Sequence, residues 1–471
     1  MPRPLSLHPD RLFPAEPRTR DIARALYQPI RDLPIISPHG HTDPAWFAYD
    51  EPFADPARLL IVPDHYVFRM LYSQGVSLEA LGIPTEDGTP TESDPHKIWR
   101  IFAEHYHLFR GTPSRMWLDW VFSEVFGLDV RLEADTAGLY YETIDAALKR
   151  PEFRPRALFD RFGIELIATT ESPLDPLAHH RAIRESGWNG RVVTAYRPDP
   201  VLDPEHEGFV DNVLRFGETA GEDVSTWAGY LRAHEVHRAR FREAGATSTD
   251  HGHPSAFTAD LPCAEAEALY AKVRAGQTTP TEAELFRGQM LTEMARMSIE
   301  DGMVMQLHPG VNRNHNAAIF GRFGRDKGAD IPGQTEFVRA LKPLLDRFGN
   351  APDFTLILFT IDEDVYSREL APLAGHYPAL RLGPPWWFHD SPEGMRRFRE
   401  RATETAGFYN TVGFNDDTRA FLSIPARHDV ARRMDCNFLA RLVAEERLEE
   451  DEAHEVARAL AYDLVKAAYK L

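Results

Sequence analysis

An α/β fold of the (β/α)₈ TIM-barrel type, with a large helical insertion after strand 1, is predicted by three features of the 471-residue sequence. Short apolar runs recur along the chain. Helix-like stretches separate them, and most of the runs end in a burst of polar, chemically capable residues. Strands alternating with helices imply a parallel sheet, and reactive side chains at the strands' C-terminal ends imply a barrel with its site at that mouth. A doubly wound sheet is the alternative, but no glycine-rich nucleotide loop follows any strand.

The first predicted strand, Leu33 to Ser37, precedes Pro-His-Gly-His-Thr-Asp (38–43). The second, Ile164 to Thr169, runs into Thr170-Glu171, and the third, Val192 to Tyr196, into Arg197-Pro198-Asp199. A weak fourth, Ala246 to Thr249, leads to Asp250-His251-Gly252-His253, and the fifth, Met303 to Leu307, ends at His308-Pro309-Gly310. The sixth, Thr355 to Thr360, meets Asp362-Glu363-Asp364, and the seventh, Leu380 to Leu382, meets Gly-Pro-Pro-Trp-Trp (383–387). The eighth, Tyr409 to Gly413, leads to Asn415-Asp416-Asp417-Thr418-Arg419. Helices are expected at Leu177–Ser186, Ala264–Met297, Thr335–Phe348 and Met395–Ala406. About 120 residues separate the first two strands, far beyond the usual few-residue βα loop. Their aromatics (Trp99, Phe102, Trp117, Trp120, Phe122, Phe126) suggest a helical subdomain with its own core. The chain therefore divides into 1–43 (N-terminal segment and first strand), 44–160 (helical insertion) and 161–471 (the remaining barrel and C-terminal helices). The acids between Glu445 and Glu455 are expected on a solvated helix face.

Lys and Arg total 53 against 72 Asp and Glu, a net charge of −19, which argues against nucleic acid or an anionic membrane as partner. An anionic small molecule stays compatible if a metal or a few guanidinium groups reverse the field locally. Cys263 and Cys436 are the sole cysteines and form no CxxC, which fits a reducing, cytoplasmic setting. No apolar run approaches the ~18 residues of a membrane span. Self-association into a homo-oligomer is compatible with a barrel of this size, but no interface is readable.

His39-Gly40-His41 is the sharpest motif. Residues i and i+2 of an extended segment project to one side, so two imidazoles can converge on a divalent metal. Two other HxH pairs compete. His105/His107 lies in a helical run, where the rings diverge, and is expected to be structural; His251/His253 follows the weak fourth strand and remains a rival. Asp417, after the last strand, can complete a ligand set, serve as a base, or merely cap the next helix, as Asp416 or Thr418 also can. His308 can be a ligand or a substrate contact. Arg197 is either an anion-binding fork or one half of a surface pair with Asp199. Trp386-Trp387 is either core packing or a wall against a sugar.

HxH after the first strand with an Asp after the eighth resembles the amidohydrolase superfamily, and the fuller set is similar to the uronate (glucuronate) isomerase family. The matching stretches are Pro34-Ile-Ile-Ser-Pro-His-Gly-His-Thr-Asp43, Asp64-His-Tyr-Val-Phe-Arg69, Ile167-Ala-Thr-Thr-Glu171 and Tyr196-Arg-Pro-Asp199. Gln306-Leu-His-Pro-Gly310 with Arg313-Asn314, Gly383-Pro-Pro-Trp-Trp-Phe-His-Asp390, and Asp417-Thr-Arg-Ala-Phe-Leu-Ser423 with Arg427-His428 follow in the family's order. This chain departs from the family at Tyr196, where Trp is common, and at Asp416-Asp-Thr-Arg419, where Thr-Asp-Ser-Arg is common. The resemblance implies interconversion of glucuronate with fructuronate and of galacturonate with tagaturonate. It also implies one divalent metal, commonly zinc, on His39, His41 and Asp417, and hexuronate contacts at His65, Tyr66, Arg197, Trp387 and Arg419, and further at Arg69, His308 and Arg313.

Moving a carbonyl from C1 to C2 requires a base for the C2 proton and an electrophile for the enediolate oxygen. Asp417 is the candidate base, with Tyr66, His65 or Arg419 at the oxygens, and Arg197 or Arg419 can take the uronate carboxylate bidentately. A mononuclear metal-dependent hydrolase is the alternative enzyme, and a sugar-acid binding protein the non-catalytic one. No lysine ends the fourth strand to carry a bridging carbamate, which counts against a two-metal hydrolase.

Overall fold

A computed structural model describes residues 2–471. Its main sheet contains β1 (Ile35–Ser37), β2 (Ile164–Glu171), β3 (Arg191–Tyr196), β4 (Ser248–His251) and β5 (Val304–Leu307). After a small antiparallel pair, β6 (Val311–Asn312) and β7 (Ile331–Pro332), the sheet resumes with β8 (Leu356–Leu358) and β9 (Leu380–Leu382). The order β1-β2-β3-β4-β5-β8-β9 is parallel throughout, and helices cross between successive strands. The fold is thus α/β with a curled parallel sheet.

The expected eighth strand is reduced to one parallel bridge between Leu382 and Thr411, flanked by Leu382 N–H to Asn410 O and Val412 N–H to Leu382 O. Only a short extended stretch fits there, because Gly413 turns the chain at φ 76° against Leu460. The expected helix over Thr335–Phe348 is regular only from Lys342 to Phe348. Pro343 cannot sit inside a helix, so it marks the helix start instead. The curl is seen at the two ends of the sheet, where His41 N–H donates to Thr418 O at 3.0 Å, joining the loop after β1 to the segment beyond Thr411.

Strand residues alternate between two apolar environments, as the two-residue period demands. Ile36, Leu166, Val304, Ile357 and Val412 pack with Val465 and Tyr469 inside the curl. Leu356 and Leu358 turn outward to the surrounding helices, and Ile35 to the insertion. Helix Leu464–Tyr469 closes the interior, with Tyr469 OH donating to Gln306 Oε1 (2.9 Å) and accepting from Asn415 Nδ2 (3.2 Å).

Between β1 and β2 four helices start at a repeated signal, a capping Asp or Thr followed by Pro. Asp43-Pro44, Asp55-Pro56, Asp94-Pro95 and Thr112-Pro113 each begin a helix, the side-chain oxygen accepting a first-turn N–H. Trp99, Phe102, Phe122 and Phe126 share one buried cluster, which continues into Ile164 and Val192 of the sheet. Trp117 instead joins Phe414 and Val430. All seven acids between Glu445 and Glu455 are exposed. Among the described residues no helix is long and apolar enough to cross a membrane.

Tyr469→Phe removes one hydroxyl and strands two buried amide groups, Gln306 Oε1 and Asn415 Nδ2. Unfolding free energy is expected to fall by about 1–3 kcal/mol, the usual cost of a buried unsatisfied polar group, measured by denaturant titration.

Candidate active site

A cavity of about 360 Å³ opens at the C-terminal ends of the strands. His39 and His41 project into it from the extended segment after β1. Gly40, between them, faces the other way, where a Cβ would lie 3.3 Å from Thr418 O. The glycine thus lets the two sheet ends approach, and the HxH spacing turns both rings inward. His39 Nε2 and His41 Nε2 converge on the same oxygen, Asp417 Oδ1, at 3.5 and 3.3 Å.

Asp417 sits at φ 37°, a left-handed conformation that a non-glycine residue adopts only when its surroundings demand it. Trp387, Asn314 and Asp326 also have positive φ and also line the cavity, so backbone strain concentrates at this mouth. Burial alone would raise the Asp417 carboxyl, but His39 and His41 overcome it and hold the group well below the usual carboxylate range. Burial lowers His41, against the pull of Asp417. Asp417 Oδ1 and His39 Nδ1 have no hydrogen-bond partner. Two imidazole nitrogens facing an ionised, unpartnered oxygen is a donor set suited to a cation.

His308 follows β5 and stacks on His39 with ring centroids 4.7 Å apart. Its Nδ1 bonds Asp250 Oδ1 at 2.7 Å, while Nε2 is unpartnered. Asp250, fully buried at the end of β4, also holds Arg197 Nη1 at 3.0 Å, and Arg197 Nε donates to Asp199 Oδ2 at 2.9 Å. Both readings of Arg197 therefore meet in one residue: it pairs with Asp199 and it lines the cavity. Burial disfavours its charge, but Asp250 and Asp199 hold the proton more tightly than usual.

His65 and Tyr66 enter from helix His65–Tyr72, capped by Asp64, which accepts from Tyr66 N at 2.8 Å. Their rings stack at 4.8 Å, and His65 lies 5.7 Å from Trp387. Burial, with Arg419 nearby, drives His65 down to about 3, so its ring is neutral. Burial raises the Tyr66 phenol despite Arg427, so it keeps its proton. Arg419 reaches the cavity with only a loose contact to Asp326 (3.6 Å), whereas Arg313 is bound to Asp330 at 2.8 Å. Trp387 lines the wall beneath the Arg313 guanidinium; Trp386 is buried in the interior cluster and also lines the cavity. Arg69 does not line the cavity and stacks over Phe388 (5.0 Å) and Tyr66 (5.7 Å).

Three groups of side chains can each hold a metal: His39/His41/Asp417, His39/Asp250/His308 and Asp199/His251/His253. His251 and His253 lie outside the cavity lining, and His251 Nε2 bonds Thr249. His105 and His107 bond only backbone carbonyls through Nδ1. Asp250 and Asp326 are site residues that sequence reasoning did not single out. Asp250 directly precedes the His251/His253 pair, whose HxH spacing is the stronger local signal. Asp326 belongs to the β6–β7 excursion, whose irregular sequence carries no period to read.

Gly252 packs against Arg197: a Cβ there would overlap Nη2 and approach Asp199 Oδ2 at 3.0 Å. Gly252→Ala is therefore expected to displace the guanidinium and weaken binding of a carboxylate ligand in the cavity by about 10²-fold, measured by calorimetric titration, with dichroism unchanged.

The sequence model of the family described as glucuronate isomerase matches residues 18–469. A uronate isomerase of Phenylobacterium zucineum is 68% identical over 471 residues, covering 100% of this chain and 98% of the relative. The crystal structure of glucuronate isomerase from Caulobacter crescentus superposes with a TM-score of 0.98 at 64% identity, over 99% of this chain and 98% of that one. The uronate isomerase of Thermotoga maritima keeps a TM-score of 0.91 at 27% identity, over 98% of this chain and 99% of that one. Family match, full-length identity and fold agree, and the chain belongs to the glucuronate isomerase family and is an enzyme that isomerises uronates.

Proposed function

We propose that this enzyme interconverts aldehyde hexuronates and their 2-keto isomers, glucuronate with fructuronate and galacturonate with tagaturonate, by carrying one proton between C2 and C1. The observation that carries this reading is the ionised Asp417 carboxylate, held at the mouth of the curled sheet in the cavity that Tyr66, His65 and Arg419 also line. In this reading the sheet, together with the Thr411 segment, is a closed (β/α)₈ barrel. Residues 44–160 form the subdomain that supplies His65 and Tyr66, and residues 1–43 and 161–471 form the barrel. Unpaired Cys263 and Cys436 suit a cytoplasmic enzyme.

Asp417 removes the C2 proton. The C2–H electron pair becomes the C1=C2 double bond of an enediolate, and charge collects on the C1 oxygen. Tyr66, still protonated, and Arg419 are the donors for the two oxygens; neutral His65 can pass a proton between them. The same carboxyl then returns its proton to C1 as the C2 carbonyl forms. Arg197, fixed by Asp250 and Asp199, faces the uronate carboxylate, and Trp387 walls the sugar, with His308, Arg313 and Arg69 supporting. In a chain of net charge −19, Arg197 and Arg419 give the anionic substrate individual partners within the cavity.

The donor set of His39, His41 and Asp417 fits one divalent ion, which we take to be zinc. When bound, such an ion supplies a Lewis acid to the substrate's oxygens. His39→Ala/His41→Ala is expected to lower bound metal towards zero, measured by elemental analysis, while far-ultraviolet dichroism stays near normal. Retention of a full equivalent would transfer the metal to Asp199/His251/His253.

The proton route has an isotopic signature. Partial conversion in D₂O is expected to leave deuterium at C1 of the ketose, read by NMR, because a proton resting on a carboxyl exchanges with water. A hydride shift would leave none. Asp417→Asn, with metal content checked alongside, is expected to lose nearly all turnover; near-normal activity in a metal-replete variant would reject Asp417 as the base.

A further inference from the structure

A second cavity, of about 590 Å³, lies at the opposite end of the sheet from the active site. Leu33, which leads into β1, Ile35, its first residue, and Gly163, which precedes β2, form its inner wall. From there to His39 the chain of β1 runs about 13 Å, at roughly 3.3 Å per extended residue, so the two cavities are separate.

The charge of this cavity contradicts that of the protein. Five guanidinium groups (Arg11, Arg31, Arg161, Arg432, Arg433) meet three carboxylates (Asp32, Glu124, Asp429), leaving two positive charges in excess. Asp429 is already committed, to Arg11 at 2.5 Å, to Arg433 at 2.9 Å and to the Tyr27 hydroxyl. Arg161 and Arg432 have no carboxylate within 4.0 Å among the described residues. Arg161, exposed at the rim, donates to Glu124 O and Val125 O, at 3.0 and 3.1 Å, and lies over the Phe153 ring. Arg432 is 6% exposed and holds the carbonyls of Arg31, Leu33 and Pro34, and its Nε has no partner at all. A buried cation facing only carbonyl dipoles, with an unused donor, is an incomplete arrangement.

We propose that this cavity binds a dianionic tetrahedral oxyanion, a phosphate group, either free or as a phosphate monoester. The excess of two charges matches a dianion. Donors that arrive from separate elements (the N-terminal segment, the turn before β2 and helix Ile424–Ala444) suit tetrahedral oxygens better than a planar carboxylate, which one arginine can satisfy. The volume leaves room for an organic group beyond the phosphate.

Calorimetric titration of the intact enzyme with inorganic phosphate, and separately with a hexose 6-phosphate, tests this. Saturable binding is expected, with a rise in Tm above that produced by sodium chloride at the same ionic strength. Tighter binding of the ester assigns a phosphorylated metabolite; equal binding assigns free phosphate. Because Arg432→Met also loosens the chain entering β1, Arg161→Gln at the rim is the decisive variant. It should keep the Tm of the free enzyme and weaken phosphate about tenfold, the size of one charge-assisted hydrogen bond. Arg419→Met, at the active-site mouth, should leave phosphate affinity unchanged. No saturable binding, a Tm rise no larger than with chloride, undiminished affinity in Arg161→Gln, or loss of binding in Arg419→Met would each overturn the proposal.

Discussion

The site depends on one junction, the meeting of the loop after β1 with the segment beyond Thr411. The hydrogen bond from His41 N–H to Thr418 O joins them, and Gly40 permits the approach. Asp417, one residue before Thr418, is thereby pressed into a left-handed backbone conformation with its carboxylate against two imidazoles. Strain of this kind costs on the order of 1–3 kcal/mol, and a buried carboxylate costs more unless charge is gathered round it. Both costs are borne by the well-packed interior beneath, from Ile36 to Tyr469. Without that closure the ends of β1 and β9 would be two loops on opposite edges of an open sheet.

Electrostatics extend the same logic around the mouth. His308, Asp250, Arg197 and Asp199 form a continuous chain of short contacts in which every charge has an opposite neighbour. Such a chain fixes Arg197 in place but also engages much of its fork. Arg419 is the less committed guanidinium, held only loosely by Asp326, and so the more adjustable one. The division suits a site that must hold a carboxylate still while charge moves at the far end of the sugar. The cavity at the other end of the sheet is the one whose lining carries more guanidinium than carboxylate groups, with its own buried arginine.

The insertion illustrates how strong local signals can still leave a packing question open. Four Asp-Pro or Thr-Pro pairs mark helix starts, because the capping oxygen and the fixed proline φ act within one turn. The aromatics follow helix periodicity and suggest a core, and most of them share one. Trp117 sits instead with Phe414 and Val430, since which neighbour an aromatic meets depends on how distant helices dock.

The sequence by itself determined the alternation of strands and helices, the side of each strand that carries polar residues, and the HxH pair. All of these are set by periods of two and 3.6 residues and by capping chemistry within a few positions. The ordered motifs carried the family with them. Tertiary structure decided the rest. Thr411 became a bridge rather than a strand because Gly413 had to turn against Leu460. Asp250, not His251 or His253, entered the active-site network because its strand register points it at His308 and Arg197. Arg69 fell behind the wall and Asp326 came forward into it. These outcomes depend on contacts between residues far apart in the chain, and no local pattern records which of two adjacent polar side chains such a contact will choose.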